Sequence, residues 1–283
     1  MGSHLSPEQV DQYHRDGYLA PLDIFDPQEM AQLNNQASAF RERIGGKLAG
    51  RFNQKTHLLS TWLNRIVRDP RILDPVQDIL GPNILCWSSQ FFAKDAHDKA
   101  YVGWHQDGNY WGLSSDEVIT AWVAFTPSNR DSGCMMVVPG TQKLVAEHVD
   151  TFSEDNMLSR GQEITVQVKR EEMVPVELHP GQMSLHHVMI YHGSDPNQSD
   201  LPRIGFAIRY IPTHVKQVGD IRGSALLVRG QDTYQHFESE QDPKSDFDPE
   251  ALALHGKVLD NQLRVLYAGS KKQGKLAVPA WSP

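Results

Sequence analysis

The segment Trp104-His105-Gln106-Asp107-Gly108 carries the side chains with the clearest chemical potential. A His-x-Asp pair at a strand end presents an imidazole and a carboxylate to one side, because residues two apart share a face. Two imidazoles and one carboxylate on one face of an octahedral divalent ion, iron(II) above all, leave three positions for a bidentate acid and dioxygen. The pair alone is weak evidence: a chain with 13 histidines is expected to hold about one by accident. His148-Val149-Asp150 is indeed a second. Context separates them. His105 and Asp107 lie in an aromatic-lined segment at the edge of an expected sheet, whereas His148 and Asp150 fall in a polar excursion and read as a solvated loop pair. The bland account of His105 is an aromatic-packed histidine bonded to Asp107.

A third ligand has to come from another strand facing the same cavity, and His192, after an apolar run, is the candidate. Its bland account is a histidine capping a turn. A dicarboxylate held at the metal needs a planar guanidinium for its far end, a task that suits Arg better than Lys. Arg203 opens the next expected strand, and an antiparallel return sets it beside His192. Ser194 could add a hydroxyl to the same carboxylate.

These residues need a scaffold. From Ile84 to about Pro212 the chain consists of short Val-, Ile-, Trp-, Phe- and Met-rich segments divided by Gly, Pro, Asn, Asp and Ser, the texture of an antiparallel sandwich. Expected strands are 84–92, 119–126, 134–138, 163–168, 174–178, 183–190 and 204–211. The first third, 1–82, reads as helical support. Ser6-Pro7-Glu8-Gln9 forms a capping box, Asp26-Pro27 starts a helix with an apolar stripe from Met30 to Ile44, and Asp74-Pro75 starts another that ends at Gly81. A jelly-roll core over 83–230 is followed by a polar tail, 231–283, with one helix over 249–266 behind Asp248. The tail would cover the barrel mouth or make a homodimer contact. No linker composition divides the chain, so one domain is expected.

The totals exclude some classes. A formal net charge of -8 argues against nucleic acid, and no apolar run approaches the ~20 residues of a membrane span. Met-Gly-Ser-His reads as a vector-derived remnant rather than a signal peptide, so a cytoplasmic protein is expected. Cys86 and Cys134, the two cysteines, read as buried free thiols.

The chain resembles the phytanoyl-CoA dioxygenase family of iron(II) and 2-oxoglutarate oxygenases. The resemblance rests on His105-x-Asp107, His192-Gly193-Ser194 and an Arg eleven residues beyond that His. It also takes in Gln12 to Tyr18 and the Pro-Gly turn at Val138 to Gly140, and reaches about Pro212. It implies a mainly β, cupin-like double-stranded β-helix with flanking helices. His105, Asp107 and His192 would hold iron(II), and Arg203 would hold 2-oxoglutarate, the co-substrate consumed with dioxygen. It further implies that Trp122 lines the co-substrate pocket, with a core role as the alternative. Strand 88–94 would form another wall. Alternation puts Ser88, Gln90, Phe92 and Lys94 on one side; Gln90 is the one expected to reach co-substrate or substrate, and Lys94 reads as an exposed strand end. Halogenating relatives have Gly or Ala at the metal carboxylate, so Asp107 favours hydroxylation.

Asn109, Tyr110 and Trp111 would shape the substrate pocket or simply pack at a strand edge. Arg51, Lys55 and His57 would form a basic wall or, on the blander account, a solvated loop. His186 and His187, adjacent on a strand, point oppositely, so one faces the cavity. The expected reaction is oxidation of a C–H bond in a small polar metabolite, such as a natural-product intermediate or aminophosphonate, with release of succinate and carbon dioxide. Two other classes share the barrel: a cupin-like metal isomerase or a dioxygenase that needs no keto acid, and a non-catalytic binding protein.

Overall fold

The computed structural model describes residues 4–267. The Ser6 hydroxyl accepts from the Gln9 N–H and the Gln9 side chain from the Ser6 N–H, starting α1 (Pro7–Asp16). Asp26 and Glu29 do the same for α2 (Pro27–Arg43). The expected stripe packs: Met30, Ala37 and Phe40 are buried, with Leu33 and Ile44 at the margin. A short α3 (Thr61–Ile66) follows. The next helix, α4 (Pro70–Leu80), begins earlier than expected, because Asp69-Pro70 carries the same start signal as Asp74-Pro75. Pro75 stays inside, at the loss of one backbone hydrogen bond.

Within the supposedly helical first third, Tyr18–Asp23 is a strand, β1. Gly17 ends α1 at φ +80, and Tyr18, Leu19 and Leu22 then pair antiparallel with β9 (Gln182–His187). Pro21, which has no N–H to give, is tolerated because β1 is the outermost strand.

The remaining strands are β2 (Ile84–Lys94), β3 (Val102–His105), β4 (Ile119–Ala124), β5 (Met136–Val138), β6 (His148–Asp150), β7 (Gln162–Ile164), β8 (Val174–Pro175), β10 (Tyr191–Ser194), β11 (Arg203–Pro212), β12 (Ser224–Arg229) and β13 (Glu238–Ser239). One sheet has the order β1-β9-β4-β11-β2-β12-β13; a smaller one runs β3-β10-β5-β8, and β6 pairs with β7. All pairings are antiparallel except β12 with β13. This is the expected jelly roll. The run 183–190 is interrupted after His187, so its end and the following residues form a turn and then β10, the strand that carries His192.

Alternation along the large sheet divides its two faces. Ala121 and Val123 of β4 and Phe206, Ile208 and Tyr210 of β11 join the core shared with α2, α3 and α4. There Phe40, Trp62, Phe125 and Phe206 surround Phe91, with ring centroids 4.9 to 6.3 Å from it. A fully buried Phe contributes roughly 1.5–3 kcal/mol, so this layer holds the sheet rigid from outside. The opposite face, with Thr120, Trp122, Arg203, Ala207 and Arg209, turns toward the small sheet and lines a cavity.

The polar tail folds back. Asp248 caps α6 (Pro249–Leu266), and residues of this helix wall a cavity of about 590 Å³ over the barrel mouth. Arg51 donates to Asp260 and to the Gly256 carbonyl, both at 2.9 Å. Neither Lys55 nor His57 lies in a solvated loop: both are buried, and Lys55 Nζ (2.5 Å) and His57 Nε2 (2.8 Å) grip the two oxygens of Glu240. The three basic residues therefore anchor the tail.

Candidate active site

His105 ends β3 and His192 sits on β10 as its cross-strand partner. Such pairs face one way, so the imidazole centroids are 4.1 Å apart. Asp107 stands two residues beyond the end of β3, ahead of a helical turn, α5 (Gly108–Trp111); its carboxylate does not cap that turn. It turns instead to the imidazoles, 3.2 Å from His105 Nε2 and 3.9 Å from His192 Nε2. One donor atom from each of the three side chains lies within 4.8 Å of the others, and all three residues are buried.

The hydrogen bonds around the rings decide what this cluster can hold. His105 Nδ1 donates to the Gly103 carbonyl at 2.8 Å and His192 Nδ1 to the Ile190 carbonyl at 3.0 Å. Each ring then directs an Nε2 lone pair inward, the tautomer a metal ligand needs. Two lone pairs facing a carboxylate are three acceptors without a donor, an arrangement that a cation relieves. Burial holds His192 down to about 4, helped by the nearby His105. For Asp107 burial works upward, yet its surroundings, the Arg209 guanidinium among them, keep it below the usual carboxylate range. The donors are thus metal-ready near neutral pH, and their chemistry fits iron(II).

Gln106, between the two ligands, points away and is fully buried. Its amide donates to the Leu144 and Met189 carbonyls and accepts from the Ala146 N–H, while its backbone N–H donates to His148 Nε2 at 2.9 Å. The second His-x-Asp pair is therefore no solvated loop: it forms β6, and its His148 braces the ligand segment. Asp150 pairs with Arg160.

Behind the triad lies a narrow cavity of about 50 Å³. Arg203 opens β11 there, 2% exposed, with its guanidinium 5.5 Å from the Trp122 ring and no protein partner for Nε. Burial holds it down to about 10. Thr120 Oγ1 and His186 Nδ1 of the same wall also have no partner, and neither has Arg209 Nε where that wall adjoins the larger cavity. A cleft with unsatisfied donors at its walls and metal donors between them fits a small dicarboxylate. Lys94, expected as an exposed strand end, is buried: Nζ donates to Ser194 Oγ at 2.7 Å and to the Asp195 carbonyl. The long antiparallel pairing of β2 with β11 places Lys94 opposite Arg203, which explains its burial. Burial and that neighbour push Lys94 down to about 7. Ser194 thus accepts from Lys94 and keeps its own hydroxyl proton to donate.

Of the two adjacent histidines, His186 faces the cavity, 5.3 Å from the His192 ring. His187 turns outward to Tyr13. Gln90, Tyr110 and Trp111 line the larger cavity, whereas Asn109 is exposed and donates to the Ala146 carbonyl. Cys86 and Cys134 are buried free thiols. Arg209 escaped the sequence reading although alternation along β11 puts it on the face of Arg203; the same rule links Thr120 to Trp122.

A family model described as phytanoyl-CoA dioxygenase (PhyH) matches residues 13–205, more than half the chain. The chain belongs to that family. An ectoine dioxygenase of Bordetella bronchiseptica is 31% identical over 154 residues, 49% of this chain and 50% of that protein. The match therefore spans about half the length of that relative. Among solved structures, the apo form of a non-heme monooxygenase, ThoJ, is 33% identical, with TM-score 0.81 over 92% of this chain and 98% of that one. A CytC3 structure with Fe(II) and alpha-ketoglutarate is 28% identical, with TM-score 0.64 over 88% and 98%. The kinship with iron(II) and 2-oxoglutarate oxygenases and the jelly-roll class, both expected from the motifs, are borne out.

Proposed function

We propose that this family member is an iron(II) and 2-oxoglutarate-dependent oxygenase that hydroxylates an unactivated C–H bond of a small polar metabolite. The observation that carries the reading is the buried triad of inward lone pairs facing a carboxylate, with an unpaired guanidinium across a narrow cleft. An isomerase on the same barrel has no need for that guanidinium, and the intact triad speaks against a non-catalytic binding protein. His105, Asp107 and His192 would hold the metal. Arg203 would hold the distal carboxylate of 2-oxoglutarate, with Ser194 donating to it and Trp122 walling its carbon chain. When bound, iron(II) and the keto acid would supply the electrons that activate dioxygen, with succinate and carbon dioxide released.

The chain's own residues do three things toward that chemistry. Gly103 and Ile190 carbonyls fix the two rings, so little reorganisation is needed at loading. Arg203 orients the acid, which turns an encounter into a positioned one. Residues of the α6 helix, Val258, Leu259 and Leu263 among them, give the larger cavity an apolar wall. Asp107 fills the position that a halide would need, which supports hydroxylation. The ectoine dioxygenase name of one relative supports a small polar substrate. Among the described residues no helix is long and apolar enough to cross a membrane. A protein that does not bind nucleic acid accords with the net charge of -8.

The test is anaerobic addition of iron(II) and 2-oxoglutarate to the purified chain. A weak visible metal-to-ligand band is expected, lost in His105→Ala and Asp107→Ala together with succinate release. No band in the parent protein, or succinate release surviving in either variant, would sink the assignment.

A further inference from the structure

We propose that Arg209 anchors an anionic group, a carboxylate or phosphonate, on the primary substrate, and so selects for acidic molecules. The proposal rests on the oxygenase reading for which cavity takes which ligand.

Arg203 and Arg209 share the inward face of β11, six residues or about 20 Å apart along the strand at ~3.3 Å per residue. The triad lines the narrow cavity together with both. Both line the narrow cavity, but the 590 Å³ cavity, which shares His105 and Asp107 with it, is lined by Arg209 and not Arg203. His105, Asp107 and Arg209 thus sit on the wall common to both spaces. A co-substrate with its far end on Arg203 occupies the narrow space. Arg209 is left facing the larger one, whose volume suits a whole small-molecule ligand.

Arg209 is also built for a ligand rather than for the fold. It is 6% exposed and Nε has no protein partner. Its guanidinium lies 5.0 Å from the Trp111 ring, which packs on Trp87, and 5.8 Å from Phe92. Aromatic faces hold a guanidinium while leaving its N–H edge free for a planar or tetrahedral anion. The carboxylate whose charge it feels is Asp107, and Asp107 is committed to the metal.

Charge balance points the same way. A divalent ion and two guanidinium groups, set against Asp107 and a dianionic keto acid, leave one positive charge in a buried site. Lys94, opposite Arg203, lines neither cavity, and its ammonium is met by the Ser194 and Asp195 oxygens. One negative charge on the substrate neutralises what remains, and burial makes that compensation valuable. The basic contact expected from Arg51, Lys55 and His57, all tied to the tail, is supplied by Arg209.

The probes are 3-phenylpropionate, phenylphosphonate and the neutral 3-phenylpropanamide, titrated into the anaerobic enzyme with iron(II) and 2-oxoglutarate, and read by the visible band and tryptophan fluorescence. At least one anionic probe should bind tenfold or more tightly than the amide. Arg209→Leu should abolish that preference while leaving amide binding and the apparent 2-oxoglutarate affinity within about threefold of the parent. Arg209→Lys should retain part of it, and serves if the Leu variant does not fold. Equal binding of acids and amide by the parent overturns the proposal, as does a large loss of 2-oxoglutarate affinity in Arg209→Leu, which would assign the guanidinium to the co-substrate. Absence of the visible band in the parent is instead a failure of the oxygenase reading; the preference can then still be read from the fluorescence of Trp87 and Trp111.

Discussion

Replacing Arg203 by Met separates function from stability with opposite signs. In the ligand-free protein the guanidinium is almost fully buried and lacks a partner for Nε. Burial lowers it from the ordinary guanidinium range to about 10, which at ~1.4 kcal/mol per unit corresponds to roughly 3 kcal/mol against the charged form. The side chain is charged in both folded and unfolded states below about pH 10, so the whole cost is present at neutral pH. The stacking on Trp122 returns about 1 kcal/mol. Met, of similar length and apolar, therefore gains about 2 kcal/mol, near 5 °C in Tm for a domain of this size. Binding goes the other way. Two charge-assisted hydrogen bonds to a carboxylate are lost, each about 1.5–3 kcal/mol, so the 2-oxoglutarate affinity falls ~100-fold or more. Circular dichroism melting of the metal-free variant and anaerobic 2-oxoglutarate titration of the iron(II) form measure the two effects. A lower Tm with unchanged 2-oxoglutarate affinity would make Arg203 a structural residue and refute the reasoning.

Gly205→Ala tests the wall of the same cleft. A Cβ there falls 1.8 Å from Trp122 Cζ2, so the indole has to shift by ~2 Å to regain van der Waals contact, and KM for 2-oxoglutarate should rise tenfold or more with iron(II) binding preserved; an unchanged KM counts against Trp122 as a wall. Acid stability follows from the buried imidazoles. Burial holds His192 and His255 down to about 4 from 6.5, so between those values the unfolded chain takes up protons that the folded one refuses. Stability is complete above pH 6.5 and falls as pH drops toward 4, by up to ~3 kcal/mol per group. Melting of the metal-free protein at pH 7.5 and pH 5 should show the loss, smaller in His255→Gln, which can still donate to the Gln54 carbonyl; an equal loss in that variant excludes His255 as a contributor.

What the sequence made legible was local or periodic. The capping boxes at Ser6 and Asp26, the start of α6 at Asp248, and the common face of Ser88, Gln90, Phe92 and Lys94 depend on neighbours within a few residues, and the fold keeps them. The His-x-Asp pair was legible as a ligand pair because its two side chains share a side whatever the rest of the chain does. His192 needed a cross-strand partner, and the apolar run before it signalled a strand without revealing the break after His187 that gives β10 its own register.

The misread residues were basic ones whose partners lie far along the chain. Lys55 and His57 look solvated beside Arg51 because Glu240, which neutralises them, lies in a polar tail. Lys94 looks like a strand end because its acceptors at Ser194 and Asp195 are supplied by another segment. A charge can be buried when tertiary structure brings it acceptors, and sequence periodicity carries no information about acceptors a hundred residues away. Arg203 and Arg209 are the contrasting case: the barrel buries both and brings neither a carboxylate of its own except the metal's Asp107. A protein that lets two guanidinium groups bear that desolvation loses stability in the empty state. The loss is recovered only when anions arrive, which makes the two unpaired arginines, more than the triad itself, the feature that marks the interior as a place for acidic ligands.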